Sequence, residues 1–439
     1  MAKRKISEVA AASIRGSETK PTKKTKPAIP PKSQTQPKKA IADEEFFLQI
    51  VTGSYDRVLH GLIATVKPQG QASFVDTFLF TAHPSAIRCV ALSAPSAPIP
   101  GQEQKVLLAS GSTDPKINIY NISAHPPKRR DGDEMASAAL RPILENSKNR
   151  ELGAYNPHDS TVTKLVFPTR SKLISASEDS TIAVAKTRNW EPMSIIKAPI
   201  PKAQGRPSGD TAGEGRHSSG EGRKVVWGAA VGGQDCEEFA VGFDRNIAVF
   251  GMDSLPRCRV MPDSRVKIHN FEYVAMSDES ESSLIAVATE DGRIVICSTK
   301  EADLTQPERT ADAQVKELPT AKLVAQIGGK DAGVTGRVKD FNIIKREETQ
   351  GTVFYLVCGS SDGNIRLWKV SEKELKASET ADKTVQLGSL VGSYDTNNRI
   401  TCTAAFAMIP RPDDVVDSDE ELMQELEKED AAESDEEEA

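Results

Sequence analysis

Between residues 45 and 410 one pattern of apolar and polar positions returns again and again: a short apolar strand, a turn of Gly, Ser or Asp, a second apolar strand, then a polar loop. In residues 173–185, Leu173 to Ser177 and Thr181 to Ala185 flank a tight turn with Asp179 near its tip, the signature of a β-hairpin. The same hairpin recurs at 106–120 with Asp114, at 238–250 with Asp244, at 284–296 with Asp291 and at 354–368 with Asp362. Ahead of four of the five lies a further strand, at 85–90, 160–167, 264–268 and 336–341, and His83 and His158 stand just upstream of the first two. A polar residue, then Ile or Val, then alternation is the inner-strand pattern of a propeller blade.

Residues 50–62 form one more hairpin pattern with no inner strand before it, while 399–406 carry the inner-strand pattern with no hairpin after it. Joined, they complete a blade from both ends of the chain and leave no open sheet edge there. The pattern therefore predicts an all-β fold, a β-propeller with six countable blades. After Lys197, where another hairpin would fit, residues 203–222 are rich in Gly, Ser and Arg and have no apolar alternation. Either the ring has six blades, or a blade's worth of sequence is missing and closure leaves a gap or strain. Flexible insertions are expected near 124–150, 198–223, 301–320 and 371–386.

The ends are of another kind. The net charge of −7 hides a basic first forty residues and an acidic last thirty. Residues 1–44 hold Lys3, Arg4 and Lys5, then Lys23, Lys24 and Lys26 among prolines, with almost nothing apolar to offset the entropy of ordering, so disorder is expected. These clusters suit nuclear import first, with contact to RNA phosphates or simple solubilisation as alternatives. No aromatic residue is interleaved among them, which gives no support to base stacking. The acidic tail, 411–439, reads as disordered too, either holding a basic partner or serving solvation. Ser418 and Ser434 precede acidic residues and suit an acidophilic kinase.

Candidate chemistry is sparse. No phosphate-binding loop, nucleophile elbow, HExxH or kinase signature set is present, so no catalytic, cofactor or metal residue is expected. Asp114, Asp179, Asp244, Asp291 and Asp362 hold one hairpin position in five repeats, which makes them structural turn residues. His83 and His158 read as satisfied structural histidines where inner strands begin, and Trp368 as packed between blades. Trp190 is open between a partner anchor and a packed residue. The six cysteines (Cys89, Cys236, Cys258, Cys297, Cys358, Cys402) form no CxxC pair and mostly sit in apolar runs, as reduced core thiols do. No run approaches the roughly twenty apolar residues that cross a bilayer, nor is there the apolar segment of a secretory signal; a soluble intracellular protein is expected.

The Asp-tipped hairpins, the two upstream histidines and the closing Leu367-Trp368-Lys369 resemble the WD40 family. Within it, residues 49–56 (Gln-Ile-Val-Thr-Gly-Ser-Tyr-Asp), Phe80-Thr81-Ala82-His83, residues 172–179, Asn189-Trp190-Glu191 and residues 336–340 are similar to the fungal maintenance-of-killer factors and the animal PAK-type-kinase-interacting proteins. That resemblance implies a seven-bladed, non-enzymatic scaffold in the nucleus and nucleolus, serving ribosome biogenesis through assembly of the large (60S) subunit and maturation of its rRNA. The partners it implies are large-subunit assembly factors and the pre-ribosomal particle, with rRNA contact an open question and the chain monomeric outside the assembly. The alternative it offers is a signalling adaptor that binds and restrains a PAK-type kinase.

Overall fold

The computed structural model describes residues 45–127, 146, 149–197, 222–228, 238–263, 265–277, 284–306, 318–381 and 383–411. The basic clusters at Lys3, Arg4, Lys5, Lys23, Lys24 and Lys26, and Ser418 and Ser434, lie outside them, as does most of both terminal extensions.

Among the described residues six sheets, antiparallel but for one short added strand, follow one another along the chain as the blades of a propeller. The first joins both ends: β25 (Ile400–Ala407) is its inner strand, followed by β1 (Phe46–Ser54), β2 (Val58–Val66) and β3 (Ala72–Thr81). The second blade is β4 (Ile87–Leu92), β5 (Lys105–Ser112), β6 (Ile117–Ser123) and β7 (Arg150–Tyr155). The third is β8 (Val162–Thr169), β9 (Lys172–Ser177), β10 (Thr181–Lys186) and β11 (Pro192–Lys197), and the fourth β12 (Lys224–Trp227), β13 (Glu238–Gly242), β14 (Ile247–Gly251) and β15 (Pro256–Val260). The fifth runs β16 (Ile268–Tyr273), β17 (Leu284–Thr289), β18 (Arg293–Ser298) and β19 (Lys322–Gly328); the sixth β20 (Val338–Glu348), β21 (Gly351–Ser360), β22 (Asn364–Ser371) and β24 (Ser389–Asp395).

The closing blade is made as the sequence requires, since β25 pairs with β1 in register from Leu48 opposite Ala407 to Gly53 opposite Cys402. Blades then stack through their apolar faces. One buried cluster joins blades one and two around Val51, Ile87 and Leu108; a second joins two and three around Cys89, Ile119 and Leu165. Others join four to five around Val249 and Phe271, five to six around Ile294 and Trp368, and six to one around Leu48 and Tyr355. These approaches are close: a Cβ on Gly242 would lie 2.3 Å from the Phe271 ring of the next blade. Gly242→Ala should therefore cost about 1–3 kcal/mol by overpacking, read as a lower denaturant midpoint.

No such cluster joins blades three and four among the described residues. Their facing sheets carry exposed large apolar side chains instead.

Two local expectations are corrected. The inner strand of blade five begins at Ile268 rather than near Val266, because Asp263 Oδ1 accepts from Arg265 N (2.9 Å) and turns the chain first. The stretch 371–386, expected as a flexible insertion, holds a helix and a strand. Helix α1 (Glu372–Glu379) opens on a capping box in which Ser371 Oγ accepts from Glu374 N (3.2 Å) and Glu374 Oε2 from Ser371 N (2.8 Å). Leu375 is buried in the cluster between blades five and six. Beyond the helix, β23 (Val385–Gln386) adds a fifth, parallel strand beside β19.

Candidate functional site

The turn aspartates and upstream histidines that the sequence singles out are tied into the blades. In blade three, His158 is buried, its Nδ1 3.2 Å from Asp179 Oδ2 and its Nε2 2.7 Å from Ser175 Oγ. A carboxylate only accepts, so in the neutral ring Nδ1 donates to Asp179 and Nε2 accepts from the Ser175 hydroxyl. Asp179 also accepts from Thr181 N (2.8 Å), Thr181 Oγ1 (2.6 Å) and Asp159 N (3.0 Å). Burial pushes its carboxyl up, but the bonds from Thr181 and Asp159 and the nearby His158 outweigh that and hold it at about 2. The folded value is depressed, so this contribution to stability is present above the ordinary value near 3.8 and lost as pH falls towards 2. Asp179→Ala should remove it, lowering stability at neutral pH by about 1–3 kcal/mol, with the difference narrowing as pH falls through about 2 in urea titrations.

Blade two repeats the arrangement more loosely. His83 Nε2 lies 2.9 Å from Ser110 Oγ and its Nδ1 3.5 Å from Asp114, and burial pushes the ring below its ordinary value. Asp114, Asp179, Asp291 and Asp362 all accept from the backbone N–H two residues on, as turn residues do, while Asp244 pairs with Arg223. Trp368 is buried between blades five and six, and Trp190 is half-buried against the cluster joining blades two and three. The structure thus distributes these residues around the ring and brings no two of the turn aspartates into one site.

Two polar groupings escaped the sequence reading. On blade one, buried His60 Nε2 donates to Asp76 Oδ1 (2.7 Å), and Tyr394 of blade six donates to the same carboxylate (2.7 Å), fastening the two blades. The second lies on the inner strands. Lys224 Nζ donates to Asn270 Oδ1, Asn270 Nδ2 donates to Asp340 Oδ1 (2.5 Å), and Thr403 N donates to Asp340 Oδ2 (2.9 Å), linking blades four, five, six and one. Glu272 is 4.0 Å from Lys224. Burial pushes the carboxyls of Asp340 and Glu272 up, Glu272 to about 7, and pushes Lys224 down.

Because the folded value of Glu272 is raised, its contribution to stability is complete below about 4.5 and lost as pH rises towards 7. Glu272→Gln should accordingly lose less stability than the parent chain between pH 5 and 8, a difference that denaturant midpoints at the two values measure directly. The described cysteines are all buried; burial pushes Cys89, Cys258, Cys297 and Cys358 up to about 12 and Cys402 higher still, so they are poor nucleophiles. Among the described residues no group of three or more His, Cys, Asp or Glu is placed to hold a metal ion.

Part of what the ring leaves outward is apolar. A cavity of about 350 Å³ opens between blades one and two, walled by Leu59, Phe78, Phe80, Leu108, Tyr120 and Ile122, with the Phe80 and Tyr120 rings 5.5 Å apart. The junction between blades three and four is apolar as well. In blade three the register sets Val166, Ile174 and Val184 in one row and Ile182 beside Ile196 in the next, all on the face away from blade two. In blade four, Trp227, Phe239 and Phe250 form an aromatic ladder on the face away from blade five, with centroid spacings of 5.7 and 5.3 Å. Trp227 is 60% exposed and Ile182 37%, whereas Ala183 and Ala240, on the opposite faces, are buried.

A family model described as "WD domain, G-beta repeat" matches residues 149–184, from just before β7 into β10. Protein MAK11 of Saccharomyces cerevisiae is 24% identical over 413 residues, covering 83% of this chain and 84% of that protein. The p21-activated protein kinase-interacting protein 1-like of Xenopus laevis is 23% identical over 376 residues, covering 82% of each. A chain in the crystal structure of the mitotic checkpoint complex is 14% identical with a TM-score of 0.31, covering 73% of this chain and 74% of that one.

Proposed function

From the premise that this chain is a WD-repeat β-propeller related to Protein MAK11 and to the p21-activated protein kinase-interacting protein 1-like proteins, we propose that it is a non-enzymatic docking platform for assembly of the large ribosomal subunit. The observation that carries the docking part is the contrast between spent polar groups and free apolar ones. His60, His83 and His158 are buried and bonded within or between blades, while Leu79, Phe80, Ile182, Ile196, Val225 and Trp227 face solvent. Exposed apolar surface of this kind marks protein contact. A rigid ring with more than one such surface holds two partners at once and raises their effective concentration without chemistry.

The large-subunit assignment is supported by the family resemblance of the sequence, and a nuclear and nucleolar site of action by the same resemblance together with the lysine clusters at Lys3 to Lys26. Assembly factors of the large subunit and the pre-ribosomal particle are the partners this reading requires. Depleting the protein should lower large-subunit precursors in sucrose gradients, and affinity purification should recover assembly factors. Normal precursor levels would end this reading. The name of the Xenopus relative favours a second one, an adaptor that binds and restrains a PAK-type kinase; recovery of a kinase alone, with a normal gradient profile, would support it in place of the first.

A further inference from the structure

We propose that the junction between blades three and four is a docking slot for a β-sheet segment of a partner protein, apolar on both faces and bearing carboxylates at one edge. The inference rests on the docking reading and names the place and the chemistry of one partner.

Among the described residues five junctions of the ring are closed by one sheet's apolar face packed on the next. At the sixth both walls are built the same way, with alternating apolar rows in β8 to β11 and the ladder of Trp227, Phe239 and Phe250 on β12 to β14. Sheets pack face to face at about 10 Å. An occupant that covers two such walls presents apolar side chains on both of its own faces, as a blade or a hairpin does and a one-sided amphipathic helix does not.

The charges narrow it further. Within the paired strands the charged side chains that the register places on these two faces are basic: Lys164, whose charge lies near Asp340 and Glu272, Lys172 and Lys186 on blade three and Arg259 on blade four. Lys172 and Lys186 are exposed and directly opposite one another across β9 and β10, and neither makes an ion pair among the described residues. Like charges so placed repel, and a carboxylate between them relieves this. A second copy of the chain would set basic wall against basic wall. The connection 198–221 is far shorter than the about 40–45 residues of a blade, and neither it nor either terminal extension has an alternating apolar run. The occupant is therefore another protein.

The test uses the full-length chain in cells, with the photo-cross-linking residue p-benzoylphenylalanine in place of Ile182, of Trp227 or, as a control, of the exposed Leu390 on blade six. Positions 182 and 227 should link to the same partner, within peptides that alternate apolar residues and carry Asp or Glu, and position 390 should not. Lys172→Glu with Lys186→Glu, both on the surface, should lower the yield about tenfold, the equivalent of about 1.4 kcal/mol, with an unchanged circular dichroism spectrum. Links to residues 412–439 of the same chain, links to a second copy, or no protein link at all would each overturn the assignment. If they do so while depletion still lowers large-subunit precursors, the junction assignment falls and the platform reading stands; if precursor levels are also normal, both fall.

Discussion

A chain ending at Asn398 should fail to fold. It would lose β25, and with it the partner of Leu48 to Ser54 along the inner edge of β1. The loss reaches three blades, because Cys402 and Ala404 are buried with Ile87 between blades one and two, Ile400 is buried with Leu48 and Tyr355 between blades six and one, and Thr403 N caps Asp340. An open edge on a mostly buried strand also invites aggregation. The expected outcome is insoluble protein, or soluble protein without a cooperative thermal transition. Supplying residues 399–411 as a separate peptide should restore part of the transition, since the strand is held by pairing and packing rather than by its covalent link alone. A truncated chain that melts like the parent would show that the ring does not close through its ends.

The second large effect is expected from Phe271→Ala. Phe271 is buried at the contact between blades four and five, beneath Gly242 and beside Ile247 and Val249. Truncating a buried Phe costs about 3–5 kcal/mol where the site cannot collapse. Position sharpens the expectation: among the described residues blade four is anchored by an apolar cluster on one face only, so losing the anchor should unhook that blade before the rest. Hydrogen exchange in Phe271→Ala should speed in β12 to β15 more than in β20 to β22. Phe341→Ala, equally buried but in a blade with clusters on both faces, should show no such local opening. Equal and uniform exchange in the two variants would contradict the one-sided anchoring.

The parts of this fold that were legible in the sequence are those with a local period. Five hairpins announce themselves through alternation around an Asp-tipped turn, and the split first blade follows from one orphan hairpin and one orphan strand. The inner strand of blade four was not legible: Lys224 to Trp227 is four residues with no alternation beyond them, and only pairing of Val225 with Val241 and Val226 with Ala240 defines it. The Asp76 and Tyr394 bond joins residues far apart in the chain, each a lone polar position in an apolar strand, and only ring closure brings them together. The Lys224, Asn270 and Asp340 chain is hidden for the same reason, one residue coming from each of three inner strands.

The open junction was half legible. Absence of a hairpin pattern after Lys197 showed where a seventh blade would have stood, but exposure of two apolar walls is a tertiary fact. The six sheets of the described residues leave that place without a further blade.

The solvent exposure of Trp227 is the most direct test of this arrangement. Trp368 is buried, Trp190 half-buried and Trp227 mostly exposed, so the fluorescence lost on Trp227→Phe isolates the ring on the junction wall. In the purified full-length chain that component should emit at the red end of the spectrum and be quenched readily by acrylamide. A blue-shifted component protected from the quencher would mean that the junction is already closed, and would contradict the account.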